Sequence, residues 1–303
     1  MVTFRGPGPA SQARGRGFES LRPLSFSPLG KPPSEYWAPG PKRPLERRQR
    51  VVKLGVGRAK CSNGFGFFSL SGGCRHRQLP QGWYPSRKPP TIPSDVTLVR
   101  DELQQISDRT LVHYERAAEA FWEGTRLHDV SQNYAALLTH IEASAPFSLL
   151  DFGCGPGRDL RHFAALGHEV MGLDGCERFC AMARAYSGCQ VLQQDFLNLS
   201  LQPNRYHGIF ANASLFHVPS QELRRVLGQL RDSLKLGGVL FCSNPHGHNE
   251  EGWSAGRYSC FYDLPTWRGH LDAIGFLELA HYYRPEGSPR HEQPWLATVW
   301  RSP

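Results

Sequence analysis

The sequence predicts an α/β fold, in which a doubly wound and mostly parallel sheet is covered by helices on both faces. Two observations predict it. Short apolar runs alternate with helical patterns between residues 147 and 243. A glycine-rich turn joins the first of these runs to the helix that follows it, as in sheets that bind a cofactor at their carboxyl edge. A third observation confines the fold to the last two thirds of the chain, because the composition changes sharply near residue 95.

The N-terminal third has the composition of an unstructured segment. Residues 1–94 hold 14 of the 24 prolines and 13 of the 31 glycines, and no helix or strand period survives that density. They carry 17 Lys and Arg against three Glu, so their net charge is +14, while residues 95–303 carry −6. We therefore predict disorder over residues 1–98 and one mildly acidic folded domain over residues 99–303.

Three interpretations of this segment stay open. A nucleic-acid-binding arm would use the basic cluster at 47–50. An organelle transit peptide would be Arg- and Ser-rich and poor in acidic residues, but the Pro and Gly content opposes the amphipathic helix that it needs. In the third, a start codon placed too far upstream adds non-native residues, because Gly17-Phe-Glu-Ser20 is the in-frame translation of a transfer RNA T-arm. The native start would then lie near 96–99.

Membrane, secreted and metal-binding classes are disfavoured. No run approaches the ~18 to 20 apolar residues that span a bilayer, and no signal-peptide core follows Met1. The eight cysteines form no CxxC pair, which indicates neither a zinc site nor a disulfide framework. We expect a cytoplasmic protein with no metal and no membrane partner.

The elements follow from hydrophobic spacing. Two helices at Thr110–Glu123 and Asn133–Glu142 form a predicted helical cap over 99–145. Strands and helices then alternate. The strands are Phe147–Phe152, Glu169–Leu173, Cys189–Gln193 and Tyr206–Ala211, and the helices are Arg158–Leu166 and Glu177–Ser187.

The last part of the chain departs from this alternation. A helix at Gln221–Leu234 is followed by a predicted glycine C-cap at Lys235–Gly238 and a strand at Val239–Ser243. After a helix at Leu264–Ala273, two strands at Phe276–Tyr283 and Trp295–Arg301 are separated by a Pro- and Gly-containing connection. We expect these two strands to pair antiparallel.

The glycine turn predicts the kind of ligand. Asp151-Phe-Gly153-Cys-Gly155-Pro-Gly157 lets the backbone turn tightly and approach a ligand closely. Its spacing is GxGxG rather than the GxGxxG of dinucleotide sites, and an acidic residue precedes it. A carboxylate suits a cationic sulfonium ligand with an amino group better than it suits a pyrophosphate.

Two further acidic residues end the next two strands. Asp174 follows Val170-Met-Gly-Leu and is placed to accept both ribose hydroxyls. Asp195 follows Val191-Leu-Gln-Gln and is placed to accept from an adenine amino group. Taken singly, each is as compatible with an ordinary turn at a strand end. Three acidic strand ends in consecutive units, together with the glycine turn, favour a nucleoside cofactor.

With these motifs, residues 110–303 resemble the class I S-adenosylmethionine-dependent methyltransferases. The likeness also includes Asn212-Ala-Ser-Leu-Phe-His217-Val-Pro and Leu234-Lys-Leu-Gly-Gly-Val-Leu240. It implies seven strands in the order 3-2-1-4-5-7-6 with strand 7 antiparallel, and S-adenosylmethionine as cofactor. It further implies that the helix of Tyr114 and Phe121 closes over the cofactor. The cofactor contacts implied by the resemblance and the strand ends are Tyr114, Asp151, Gly153, Gly155, Gly157, Asp174, Asp195, Phe196 and Asn212.

The acceptor chemistry is less determined by sequence. His217, after the fourth strand, is the candidate catalytic residue, as a base or a positioning group. His246 and His248 lack a placed third metal ligand. Tyr258, Tyr262, Trp267 and Tyr282 fit either an apolar acceptor wall or packing.

Four functions remain for the folded domain. Methyl transfer to a small molecule is the leading hypothesis, and its alternatives are a protein or peptide methyltransferase, a nicotinamide-dependent oxidoreductase and a binding protein without catalysis. Asn244-Pro245 resembles the Asn-Pro-Pro-Tyr motif of adenine methyltransferases, but it follows the fifth strand where that motif follows the fourth, and it lacks the second proline. No nucleic-acid partner is therefore expected. The oligomeric state stays open.

Overall fold

The computed structural model describes residues 97–303, so the calls on residues 1–96 lie outside the described part of the chain. Two helices precede the sheet. α1 (Arg100–Thr125) is ten residues longer at its start than predicted, and the Glu102 carboxylate accepts from the Val99 backbone N–H at 2.9 Å to begin it. α2 (Ser131–Leu138) ends four residues before its predicted end.

A seven-stranded sheet forms the centre of the domain, with strand order β3-β2-β1-β4-β5-β9-β8. Neighbours pair in parallel from β3 to β5, and β9 is antiparallel to both β5 and β8. This is the predicted order 3-2-1-4-5-7-6. The predicted strands 6 and 7 are β8 and β9 here, because two further strands, β6 and β7, precede them in the chain. The seven strands are β1 (Ser148–Phe152), β2 (Glu169–Asp174), β3 (Gln190–Gln193), β4 (Tyr206–Asn212), β5 (Leu234–Pro245), β8 (Leu277–Arg284) and β9 (Trp295–Arg301).

The remaining helices follow their predicted spans closely. They are α3 (Arg158–Ala165), α4 (Glu177–Ser187), α5 (Ser220–Ser233) and α6 (Leu264–Asp272). Local chemistry sets several ends: the Asp263 carboxylate caps α6 by accepting from Thr266 N at 2.8 Å, and Gly188 ends α4 in the left-handed conformation with φ 73°.

Apolar side chains pack on both faces of the sheet. Along β1, Leu149 belongs to a cluster with α2, and Leu150 to a larger cluster with α5 and α6. Successive residues of a strand face opposite sides, so this split requires helices on both faces.

Two features differ from the sequence-based expectation. The segment predicted as a glycine C-cap, Lys235–Gly238, already belongs to β5, because α5 ends at Ser233 and the next residue, Leu234, is extended. The polar segment after β5 also contains a hairpin of β6 (Glu250–Ser254) and β7 (Arg257–Phe261). The hairpin escaped prediction because its strands are short and interrupted by Gly252, and polar side chains take the place of alternating apolar ones.

No helix in residues 97–303 is both long and apolar enough to cross a membrane.

Candidate functional site

A cavity lies at the carboxyl ends of β1 to β4, under α1. It encloses about 680 Å³ of space, part of which is open to solvent. Seven of the ten site residues predicted from sequence line it: Tyr114, Gly153, Gly155, Asp174, Asp195, Phe196 and His217. This edge is where doubly wound sheets bind their ligands.

The glycine turn is held by β2. The Leu173 carbonyl accepts from the backbone N–H groups of Gly153 and Cys154 at 2.8 and 3.0 Å. The Asp174 carboxylate accepts from the backbone N–H groups of Gly155 and Cys176, each at 2.9 Å. Gly153 and Gly155 have φ angles of 75° and 51°, which favour glycine. The turn and the end of β2 therefore form one hydrogen-bonded unit.

Among the described residues that line the cavity, the charged side chains are the carboxylates of Asp174 and Asp195. Burial raises the pKa of Asp174 to about 6, against the opposing effect of the backbone N–H groups of Cys176, Gly155 and Gly175. Asp195 accepts from the Gln104 side chain at 2.8 Å and from Leu197 N at 2.8 Å. Phe196, beside it, stacks on Phe152 with ring centroids 4.3 Å apart. The cavity is therefore anionic at the ends of β2 and β3.

Three predicted contact residues lie outside the cavity lining. Asp151 is buried beneath the turn, and its Oδ2 has no hydrogen-bond partner in the described structure. Burial and the nearby Asp159 carboxylate raise its pKa well above the usual range. Gly157 begins α3, and a side chain there would meet the Ala183 backbone at 2.8 Å. Gly157 therefore permits close packing of α3 on α4.

Asn212 belongs to a polar network beside the cavity. Its side chain accepts from Asn133 Nδ2 at 2.9 Å and donates to Asp159 Oδ2 at 3.3 Å. Asp159 also accepts two hydrogen bonds from Arg158, at 2.6 and 2.9 Å. The network ties β4 to α2 and α3, so in this structure Asn212 connects elements around the cavity.

His217 has both ring nitrogens in hydrogen bonds. Its Nε2 lies 2.7 Å from the Tyr114 hydroxyl, and its Nδ1 lies 2.6 Å from the Tyr258 carbonyl oxygen. Burial and the Arg257 charge lower the pKa of His217 to about 3. The imidazole is therefore neutral at physiological pH.

The hairpin fixes this arrangement from outside the cavity. Arg257 Nη1 donates to the Tyr114 hydroxyl at 3.3 Å, and the Tyr258 backbone N–H donates to Thr110 Oγ1 at 3.1 Å. Arg109 of α1 also packs over the Trp253 ring, 3.9 Å from its centroid. β6 and β7 thus hold α1 over the cavity, a role that sequence reasoning missed along with the hairpin.

Sequence reasoning also missed several lining residues. Ser214 carries a buried hydroxyl, and Phe179 packs against Tyr114 and Phe121 at centroid distances of 5.4 and 5.1 Å. Ser214 lies inside the Asn212–His217 motif, so the motif contained the available signal. Nothing in the spacing of α4 singles out Phe179.

The residues proposed for the acceptor side have mixed positions. Tyr258, Tyr262 and Trp267 are buried, and none of them lines the cavity described above. Tyr282 donates to Asn133 Oδ1 at 2.9 Å. Within residues 97–303, no group of three or more His, Cys, Asp or Glu side chains is placed to hold a metal ion, and the His246 and His248 rings lie 6.3 Å apart.

Residues 149–238, from β1 to the start of β5, match the sequence profile of a methyltransferase domain. This part of the chain is therefore similar to a methyltransferase domain. A solved structure with the same fold is the 1,6-didemethyltoxoflavin-N1-methyltransferase of Burkholderia thailandensis, with a TM-score of 0.56 and 18% sequence identity. That similarity covers 70% of this chain and 94% of the other.

Two curated relatives match part of the chain. The chain is 32% identical over 125 residues to 24-methylenesterol C-methyltransferase 2 of Oryza sativa subsp. japonica. It is 31% identical over 127 residues to the ubiquinone biosynthesis O-methyltransferase of Cereibacter sphaeroides. Each match covers 39% of this chain, but 32% of the first relative and 51% of the second. The chain thus spans about a third to a half of the length of these relatives.

Proposed function

We propose that this chain transfers a methyl group from S-adenosylmethionine to a small-molecule acceptor. The carrying observation is the charge of the cavity. Among the described residues, the charged side chains that line it are the carboxylates of Asp174 and Asp195. A donor with a sulfonium and an amino group is cationic and is attracted by both carboxylates, whereas a nicotinamide dinucleotide accounts only for the acidic residue at the end of β2.

Two further observations fit the same donor. Asp151 Oδ2, beneath the turn, has no hydrogen-bond partner in the described structure, and a nearby cation would stabilise the ionised form that burial disfavours. A side chain added at Gly155 would point into open cavity, since its nearest neighbour is the Phe121 ring at 3.6 Å. Glycine at this position thus leaves room for a ligand against the backbone.

Each strand end then has an assigned part in binding. Asp174 accepts the ribose hydroxyls, and Asp195 accepts the adenine amino group beside Phe196. Gly153 and Gly155 present backbone to the amino-acid portion, Gly157 keeps the turn compact, and Tyr114 closes α1 over the ligand. Asn212 anchors the end of β4.

The bound donor supplies a methyl group that is already activated as a sulfonium substituent, so the protein has to align the acceptor rather than activate the donor. We assign His217 a positioning role. Its pKa of about 3 makes the imidazole a weak base, because a general base works best with a pKa near the working pH. His217 instead fixes the Tyr114 hydroxyl at the cavity wall.

A small acceptor is favoured over a protein chain by the enclosure of the cavity. Ser107, Thr110 and Tyr114 of α1 form part of its wall, and the β6–β7 hairpin holds α1 in place from outside the cavity. The names of both curated relatives refer to small molecules, a methylenesterol in one and ubiquinone biosynthesis in the other.

The proposal is tested by binding and then by transfer. Calorimetry with S-adenosylhomocysteine and with NAD should show binding of the first and none of the second, and the reverse result would support the oxidoreductase alternative. Transfer of a labelled methyl group is then measured with a metabolite extract and, separately, with a peptide library. Label recovered only in peptides would refute the small-molecule acceptor.

A further inference from the structure

Gln104 of α1 contacts Asp195 from outside the cavity. Its Nε2 donates to Asp195 Oδ2 at 2.8 Å and to Asp108 Oδ1 at 2.9 Å, and its Oε1 accepts from Asn198 Nδ2 at 3.0 Å. Asp195 lines the cavity, whereas Gln104 lines a separate polar groove formed by the start of α1, the segment after β3 and α5. Gln104 therefore reaches a ligand in the cavity through Asp195 and not directly.

The partners of Gln104 fix the orientation of its side-chain amide. An ionised carboxylate can only accept, so Asp108 and Asp195 require the NH₂ group to face both of them and to use both of its hydrogens. The amide oxygen then faces Asn198, whose Nδ2 donates to it. Reversing the amide would place its oxygen against both carboxylates. Gln104 is thus a donor to Asp195 in a single orientation.

The Asp195 side chain needs such a donor because β3 ends before it, at Gln193. The Leu197 backbone N–H donates to Asp195 Oδ1 at 2.8 Å, which holds one carboxylate oxygen. Rotation of a carboxyl group about its bond to Cβ is otherwise broad, so the bond from Gln104 to Oδ2 is the second point that fixes its plane. A carboxylate has about four acceptor positions, so roughly half of them remain for a ligand.

We propose that Gln104 orients the Asp195 carboxylate for the adenine amino group and so sets the preference of the site for adenine, an inference that rests on the proposed function. A carboxylate that is already fixed loses little rotational freedom when it accepts from the amino group, so this bond contributes more to affinity. A purine without the amino group gains nothing from it. Gln104 is therefore a positioning residue for recognition of the base.

The test compares two ligands that differ by the amino group. They are S-adenosylhomocysteine and its 6-deamino analogue, in which a hydrogen atom replaces the adenine amino group. Dissociation constants are measured by calorimetry on the full chain for wild type and for Gln104→Met, which keeps the unbranched side chain and removes the amide. We expect wild type to prefer S-adenosylhomocysteine by about ten-fold or more. Gln104→Met should bind it about three- to ten-fold more weakly, while affinity for the analogue changes less than about two-fold.

Gln221→Met is the matched control. Gln221 of α5 also ties the start of α1 to the domain, because its side-chain amide bonds the Leu98 backbone N–H and carbonyl, each at 2.9 Å. It lines the same groove as Gln104, and neither of these bonds involves Asp195. A residue that acts only as a tie would affect both ligands equally. We expect Gln221→Met to leave the ratio of the two dissociation constants unchanged.

Asp195→Ala shows whether Gln104 acts through the carboxylate. It should abolish the preference for the amino group, and Gln104→Met added to it should change the ratio no further, because the two residues act as one unit. The ratio compares two ligands on one protein sample. Partial unfolding of a variant therefore affects both ligands equally and does not alter it.

The failures are distinguishable. If wild type prefers S-adenosylhomocysteine and Gln104→Met keeps that ratio, this inference is overturned and the proposed function stands. Equal binding of both ligands by wild type would overturn the inference together with the assignment of Asp195 to the amino group, and would leave cofactor binding in place. If wild type binds neither ligand, the inference and the proposed function are both overturned.

Discussion

The Tyr114 hydroxyl on α1 lies 2.7 Å from Nε2 of His217, on the turn after β4. The proton positions follow from the other side of the imidazole, where the Tyr258 carbonyl oxygen lies 2.6 Å from Nδ1 and can only accept. Nδ1 therefore carries the hydrogen, and the unprotonated Nε2 accepts from Tyr114. The hairpin carbonyl thus determines which way the tyrosine hydroxyl points.

We predict that His217→Ala lowers turnover by about ten- to a hundred-fold while S-adenosylhomocysteine affinity stays within about two-fold. The change removes the acceptor of the Tyr114 hydroxyl at the cavity wall but leaves the carboxylates and the glycine turn intact. Turnover is measured with an acceptor found in the labelled-donor screen, and affinity by calorimetry.

His140→Ala is the matched control for this change. His140 bonds a backbone carbonyl just after α2 and does not line the cavity, so turnover should stay at the wild-type value. Equal losses of turnover and affinity in His217→Ala would instead identify His217 as a residue that maintains the fold of the site.

The two glycines of the turn should respond differently to alanine. A methyl group at Gly153 would collide with Ser214 Cβ at 2.3 Å, so Gly153→Ala should destabilise the domain by at least about 3 kcal/mol. A methyl group at Gly155 meets only the Phe121 ring at 3.6 Å, so Gly155→Ala should cost about 1 kcal/mol through its positive φ.

Relative to the stability that each variant loses, Gly155→Ala should weaken cofactor binding more than Gly153→Ala does. Gly155→Ala places its methyl group in the cavity, so we expect weak S-adenosylhomocysteine binding by a largely folded protein. Chemical denaturation and calorimetry check both quantities. Unimpaired binding by Gly155→Ala would contradict a ligand at the turn.

Much of the fold could be predicted because each sheet strand carries its own apolar run and each helix its own period. α4 and β9 have their predicted bounds, and β8 and β9 pair antiparallel as expected. The hairpin was missed because its strands are short and largely polar. Its contacts to α1 could not be predicted, because they join residues 143 and 148 positions apart in sequence and leave no local pattern.

The candidate site also has features that the sequence predicts and features that it does not. Spacing alone places Asp174 and Asp195 at strand ends, and the structure brings both to the cavity. Sequence could not show that Asp174 already binds two backbone N–H groups, or that His217 is locked between Tyr114 and Tyr258. Those relations depend on side-chain directions that tertiary packing alone determines.

The affinity for S-adenosylhomocysteine should fall as the pH drops below about 6, by up to about ten-fold at pH 5, because protonation removes the Asp174 charge that binds the ribose. Asp174→Asn should bind about 1–3 kcal/mol more weakly at pH 7.5 and show a flatter pH dependence. Calorimetry from pH 7.5 to 5 measures both. An equally steep profile in Asp174→Asn would assign the titration to another group.

The raised pKa of Asp174 has the opposite effect on the free energy of unfolding of the ligand-free protein, which falls as the pH rises. The folded state binds the Asp174 proton more tightly than the unfolded chain does. Its contribution is therefore fully present below about pH 3.8 and is lost as the pH rises through about 6. Asp174→Asn should remove this contribution from the pH dependence of the denaturation midpoint.

The last prediction concerns Glu251, which fastens the hairpin to the rest of the domain. Its carboxylate accepts from the Tyr258 hydroxyl at 2.8 Å and from the Ser220 backbone N–H at 3.1 Å, at the start of α5. Glu251→Ala should destabilise the domain by about 2–4 kcal/mol, because it leaves these two donors without a partner. Chemical denaturation measures the change.

A matched control and a second readout connect this loss to the site. Glu286→Ala removes an exposed carboxylate near the end of β8 and should shift stability by no more than about 0.5 kcal/mol. Because Tyr258 holds the His217 imidazole, Glu251→Ala should also lower turnover in the fraction that remains folded. A stability loss with unchanged turnover per folded molecule would mean that the hairpin supports the domain without orienting His217 and Tyr114.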